Sequence, residues 1–190
     1  NNILGSWSAG IYSFSYNLAM CVTVIILAWN SSWQPKLYKL INTSDSEEIK
    51  KVTFSSTIIL ASFCVLCMIF SREMVFFLAD DKYYPSIDLV PLIIMSNAMT
   101  HIYLIYVNFA FYKKRSFIIA SVTLIAVLLN IGLNYFLIPI MGMKGAALAT
   151  LLAYMLLTCL HYITSTYITK NNSISIMYFF AYSAVLALSY

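Results

Sequence analysis

The feature that most constrains this chain is the length of its apolar runs, in which Asp88, at the edge of one, is the single charged residue. Six of them occur in 190 residues, at about 7–31, 52–71, 87–112, 116–138, 145–168 and 174–190, the last counted back to 171. A helix rising about 1.5 Å per residue needs roughly 20 apolar residues to cross a hydrocarbon layer of ~30 Å. Each run meets that length. Helices are required because lipid offers no hydrogen-bond partner to the backbone, so every N–H and C=O must be satisfied within the span. Strands of a membrane barrel would alternate over segments of about ten residues, and runs such as 22–28 do not. The fold expected is therefore all-α, a polytopic transmembrane helix bundle of about six spans.

Composition closes off the soluble alternative. Hydrophobic residues make up 62% of the chain and charged residues 9%, against about half and a quarter in a soluble domain. The net charge of +4 is spread singly and in short clusters between apolar runs, which excludes a nucleic-acid surface and fits loop charges that set orientation. Eight of the eleven cations, namely Lys36, Lys39, Lys50, Lys51, Lys113, Lys114, Arg115 and Lys170, fall in alternate loops; Arg72, Lys82 and Lys144 fall in the others. Retention of positive loops in the cytoplasm then puts loops 36–51 and 113–115 inside and residue 1 outside. Trp29 and Trp33 at the inner end of the first span, with Tyr83 and Tyr84 in an outer loop, read as interfacial anchors.

The loop at 36–51 carries soluble-helix grammar. Ser44-Asp45-Ser46-Glu47 reads as a capping box with Ser44 as N-cap, and Glu47 and Lys51 are spaced for an i, i+4 pair. A short cytoplasmic helix near 44–51 is expected. Cys64 and Cys67 have a redox or zinc spacing. With no second pair and apolar neighbours, they read as small buried hydrophobes. No cofactor or metal is indicated. The chain opens Asn1-Asn2 without Met and stops at Tyr190 inside an apolar run, so the expectation is a piece of a longer protein.

The most informative stretch runs from Asn130 to Thr150. Pro139 cannot continue a helix without losing a hydrogen bond, and Gly142 and Gly145 permit angles that other residues resist. Gly145, Ala149 and Ala153 form a small-residue stripe at i, i+4, i+8, which lets another helix approach closely. This stretch resembles the "N-x-x-L-N-x-x-L-I-P-x-x-G-x-x-G-A-A-x-A-T" signature of bacterial polysaccharide transporters, with Asn130, Asn134, Pro139, Gly142, Gly145, Ala149 and Thr150 in the matching positions. These are the O-antigen and capsule flippases of the multidrug/oligosaccharidyl-lipid/polysaccharide superfamily. Weaker likenesses follow in the family's order: Gly10 to Tyr16, with Ser15 where Ala is usual; Trp33-Gln34-Pro35; Leu78 to Tyr84 followed by Val90-Pro91-Leu92; and Lys113-Lys114.

The resemblance implies the C-terminal lobe of a MATE-like two-lobe transporter in the bacterial inner membrane, lacking its N-terminal lobe. It further implies lipid-linked oligosaccharide as substrate, with glycan polymerase machinery among its partners besides the bilayer. No enzymatic activity is expected: no Ser/His/Asp order or H-E-x-x-H occurs and no P-loop is present. A cation-coupled drug exporter of the same superfamily is the first alternative, disfavoured because the acids sit in loops or at span ends. A membrane-embedded glycan-modifying enzyme is the second.

Polar residues at membrane depth turn toward protein or a wet cavity. Asn97, His101 and Asn108 share one helical face, as do Thr150, Tyr154, Thr158 and His161. Ser13 and Asn17 pair at i, i+4 with Tyr12 and Tyr16 beside them. Either these faces line a hydrophilic path, or they are interhelical hydrogen bonds worth roughly 0.6–2 kcal/mol each. The path reading is preferred for Tyr12, Tyr16, Asn17, Asn97, His101, Asn108 and Tyr154, and the interhelical reading for Asn130 and Asn134. No Lys or Arg lies deep in a span, so a pyrophosphate headgroup would find its cations elsewhere. Lys36 and Lys39 at the inner mouth read as topology charges.

Overall fold

A computed structural model describes residues 5–169 and 174–190. Asn1 and Lys170, used above for orientation, lie outside the described residues. Seven α-helices follow in order: α1 (Gly5–Asn42), α2 (Ser46–Ile69), α3 (Ser71–Leu78), α4 (Val90–Tyr112), α5 (Ser116–Met141), α6 (Met143–Thr169) and α7 (Met177–Leu188), with a 3₁₀ segment at Asp81–Ser86 between α3 and α4. No strand occurs among the described residues. Five helices, α1, α2, α4, α5 and α6, are long and apolar enough to cross a membrane. The sixth expected span, 174–190, holds α7, whose 12 residues advance only about 18 Å.

The helices surround α4, which packs against α1, α2, α5, α6 and α7. Within its most apolar stretch α4 is 83% buried, whereas α5, the most apolar of the five, is 11% buried. In water this order would be inverted. In lipid the acyl chains solvate an apolar helix without loss, so the helix that carries amides, hydroxyls and an imidazole takes the centre.

Helix α1 corrects the expected loop. Its 38 residues extend about 57 Å, well beyond one hydrocarbon thickness, and it runs through Pro35 to Asn42 instead of ending near residue 31. Pro35 leaves the Ser31 carbonyl without its helical donor. Both residues are exposed, near the end of the span where interfacial water can take that carbonyl. The buried stripe Ile11, Ser15, Ala19, Val22, Ile26, Trp33, Leu37 keeps one face of α1 on the bundle along this whole length. Trp33 is buried and stacks on Trp29 at 6.0 Å between ring centroids. Trp33 is therefore a packing element, not the interfacial anchor expected from its position, whereas Trp29 is half-buried and keeps part of its ring toward the groove between α1 and α2.

No separate helix forms near 44–51. A three-residue turn joins α1 to α2, Ser44 takes a left-handed φ of 57°, and the cap falls one residue later than expected: the Asp45 carboxylate accepts from the Glu48 amide at 3.1 Å. Glu47 pairs with Lys50 at 2.9 Å instead of Lys51. Replacing Asp45 with alanine should lower stability by about 1 kcal/mol, the usual worth of an N-cap, read as a lower midpoint in thermal unfolding of the purified protein.

Pro139 does not end α5 either. The helix continues to Met141, and Gly142, with φ 61° and ψ −136°, terminates it, its amide donating to the Ile138 carbonyl at 2.8 Å. Pro139 is exposed, as is Tyr135, whose carbonyl it leaves free. The chain reverses at once into α6. A Cβ on Gly145 would sit 2.3 Å from the Leu137 carbonyl oxygen, so the backbones of α5 and α6 meet there. Ala149 and Ala153 on the same stripe are buried.

Candidate functional site

The polar residues on α4 are sealed inside the bundle. Asn97 is buried and its Nδ2 donates to the Ala19 carbonyl of α1 at 3.1 Å. Asn108 is likewise buried; its Nδ2 donates to Asn30 Oδ1 at 2.8 Å, and its Oδ1 accepts from Gln34 Nε2 at 3.1 Å. Gln34 also donates to the Tyr38 hydroxyl at 3.0 Å. Together these bonds form a seam that stitches α1 to α4.

His101, fully buried, has its Nε2 3.1 Å from Thr57 Oγ1 of α2, and that hydroxyl is 2.7 Å from the Thr53 carbonyl. A carbonyl only accepts, so the single hydroxyl proton of Thr57 goes to Thr53. The proton between His101 and Thr57 must then sit on Nε2. The ring is further held by Trp29 edge-on at 4.6 Å and by Tyr182 at 5.8 Å. Asn97, His101 and Asn108 are therefore bonds between helices, and the expectation that they line a path is corrected. Each side chain is at most 2% exposed and finds a partner on a neighbouring helix within 3.1 Å.

Open space reached by polar side chains lies elsewhere, in a largely apolar cleft of ≈ 310 Å³ between α1 and α5 with α6 beneath. Tyr16 projects into it from α1, Thr123 and Asn130 from α5, and Thr150 and Tyr154 from α6; Ala126, Val127, Ala153 and Leu157 supply its apolar walls. Asn130 lies fourteen residues along α5, about 21 Å from the helix start and close to its middle. Asn134, one turn further on, donates from Nδ2 to the Asn130 carbonyl at 2.9 Å and to Asn130 Oδ1 at 3.0 Å. That second bond fixes the Asn130 amide with its own NH₂ free to serve the cleft. Thr150 donates its hydroxyl proton to the Ala146 carbonyl at 3.0 Å, so toward the Tyr12 hydroxyl, its side-chain partner, its oxygen is the acceptor. Tyr12 packs beside Thr150. Asn17 is exposed on α1 and does not line the cleft.

The expected residues thus divide. Tyr16 and Tyr154 sit in the cleft with Tyr12 adjacent, Asn17 lies outside it, and Asn97, His101 and Asn108 lie behind it. Asn130 and Thr150, carried above as motif residues, turn out to be cleft wall. Thr123 was missed, although Thr123, Val127, Asn130 and Asn134 stand at i, i+4, i+7, i+11, the periodicity that would have found that face. The face traced through Thr150, Tyr154, Thr158 and His161 splits: the first two open onto the cleft, whereas Thr158 and His161 are buried. Cys64 and Cys67 are free thiols, with Cys64 Sγ 3.7 Å from the Tyr182 hydroxyl.

Fold and site together define a polytopic helical membrane protein with a largely apolar cleft into which five polar side chains reach. In comparisons with family models, curated proteins and solved structures, none matches this chain.

Proposed function

We propose that this chain is one lobe of an alternating-access transporter that carries polyprenyl-pyrophosphate-linked oligosaccharide across a bacterial inner membrane, with residue 1 outside and loops 36–51 and 113–115 in the cytoplasm. The observation that carries the reading is the mid-membrane cleft, in which two tyrosines, an asparagine and two threonines converge. Amide and hydroxyl groups match sugar hydroxyls in both donor and acceptor sense. The rings of Tyr16 and Tyr154 offer flat apolar surface to the carbon faces of a sugar, and no formal charge competes. The hydroxyls and the amide that reach this cleft would be costly to leave unpaired against acyl chains, so this face of α1, α5 and α6 is the one that a second lobe would cover. Two such lobes rocking about the midplane would expose the cleft to each side in turn, while the polyprenyl tail stays in lipid. The sequence likeness around Asn130 to Thr150 selects glycolipid among the possible polar cargoes.

The test is transport by the full-length protein reconstituted in vesicles, read as accessibility of a lipid-linked oligosaccharide on the far side. Tyr154→Ala and Asn130→Leu should each lower the initial rate by roughly tenfold, the loss of one to two good hydrogen bonds or a stacked ring. Tyr135→Ala, on the exposed flank of the same helix as Asn130, should transport normally. Unchanged rates in both cleft variants at equal protein levels would remove the cleft from any role in translocation.

A further inference from the structure

We propose that the groove between α1 and α2 is a binding site for an anionic membrane phospholipid, with one acyl chain in the groove and the headgroup phosphate on Lys51. The groove is open-sided, with a volume of ≈ 590 Å³, and is almost entirely apolar. Ile25 and Trp29 of α1 form one wall, and Val52, Ile59 and Leu60 of α2 the other, with Lys51 at one end. From Lys51 to Leu60 the α2 axis advances about 14 Å, against about 15 Å for the hydrocarbon depth of one leaflet. The groove is therefore one acyl layer deep and ends where a headgroup begins, on the side of the turn that joins α1 to α2.

Charge selects the headgroup. Lys36 is paired with Glu48 at 3.1 Å and Lys50 with Glu47 at 2.9 Å, but Lys51 has no ion-pair partner among the described residues. Its neighbours are neutralised and it is not, so the uncompensated charge sits at the groove's mouth. An ammonium is a point charge well suited to a phosphate oxygen, and a lipid with no cationic group of its own satisfies it best. The site is separate from the cleft. Tyr16, which faces the cleft, and Ile25, which faces the groove, are nine residues apart, two and a half turns, and so project from opposite sides of α1. A chain whose headgroup occupied the cleft would have to wrap around α1 to enter the groove, so the occupant is a resident phospholipid. The assignment stands whether or not the transport reading holds.

Trp29 reports on the groove directly. The full-length protein is placed in vesicles of phosphatidylcholine and phosphatidylglycerol in equal parts, with brominated acyl chains on one lipid or the other; bromine quenches tryptophan on contact. The Trp29 signal is the difference between wild type and Trp29→Phe. Brominated phosphatidylglycerol should quench that signal about fivefold more effectively than brominated phosphatidylcholine, the ratio expected for one lysine near a membrane surface. Lys51→Gln should abolish the preference, while Lys51→Arg and Lys50→Gln keep it. Equal quenching by the two lipids in the wild type would overturn the site. So would a preference that survives Lys51→Gln, or one that Lys50→Gln removes equally, since that would mean diffuse surface charge.

Discussion

Gly145→Val is expected to lose stability by about 3 kcal/mol or more, and with it most of the folded protein recovered after extraction. A Cβ at this position lies 2.3 Å from the Leu137 carbonyl oxygen and 2.6 Å from its carbon. Both are backbone atoms at the end of a helix and cannot rotate aside, so α5 and α6 must separate at the turn where they are closest. Overpacking usually costs about 1–3 kcal/mol, and the rigidity of the obstacle puts this case at the upper end. The contrast is Gly132, mid-helix in α5, where an added Cβ meets nothing within 4 Å. Gly132→Ala should raise stability by up to about 1 kcal/mol through the gain in helix propensity. Thermal unfolding of the two variants in the same detergent checks both signs. If Gly145→Val were as stable as the wild type, the α5–α6 hairpin would be packed differently.

His101→Ala is expected to cost about 2–4 kcal/mol, the range for removing a large buried side chain whose site cannot collapse. The imidazole fills the space between Trp29, Tyr182 and Thr57, so its removal empties the junction of α1, α2, α4 and α7. The deficit should appear as a lower unfolding midpoint, with transport by whatever protein remains folded close to normal. A variant of full stability that fails in transport would return His101 to the path. Nitrogen chemical shifts of the ring give an independent check, because the Thr57–Thr53 bond fixes the proton on Nε2.

The sequence is a good guide to this fold where the solvent dictates the answer. Hydrocarbon tolerates only closed barrels and long, internally bonded helices, the runs do not alternate as barrel strands would, and five of the six are such helices. It is a poor guide at the ends of those runs. Pro139 reads as a stop because an interior proline breaks a water-soluble helix, yet it lies, as Pro35 does, at an exposed position toward the end of a long helix, where a freed carbonyl is easily satisfied. Helical periodicity groups residues on a face but does not say what the face meets. Asn97, His101 and Asn108 look like cavity-lining residues from α4 alone, and only the positions of Ala19, Asn30, Gln34 and Thr57 on α1 and α2 show that they are bonded. The cleft was half legible. Tyr16 and Tyr154 were found as aromatic hydroxyls at depth, while Asn130 and Thr150 were absorbed into a motif and Thr123 passed unnoticed, because a cleft formed by three helices has no signature in any one of them.

The placement of the α4 partners also bears on biogenesis. The groups that satisfy Asn97, His101 and Asn108 all lie on α1 and α2, upstream in the chain. Synthesis proceeds from the N-terminus, so the ribosome delivers those acceptors and donors before α4 emerges. The least apolar span would otherwise enter lipid with three polar side chains unmatched. Here it arrives beside helices already carrying the complementary groups, and moving α4 ahead of α1 in a permuted gene would remove that shelter.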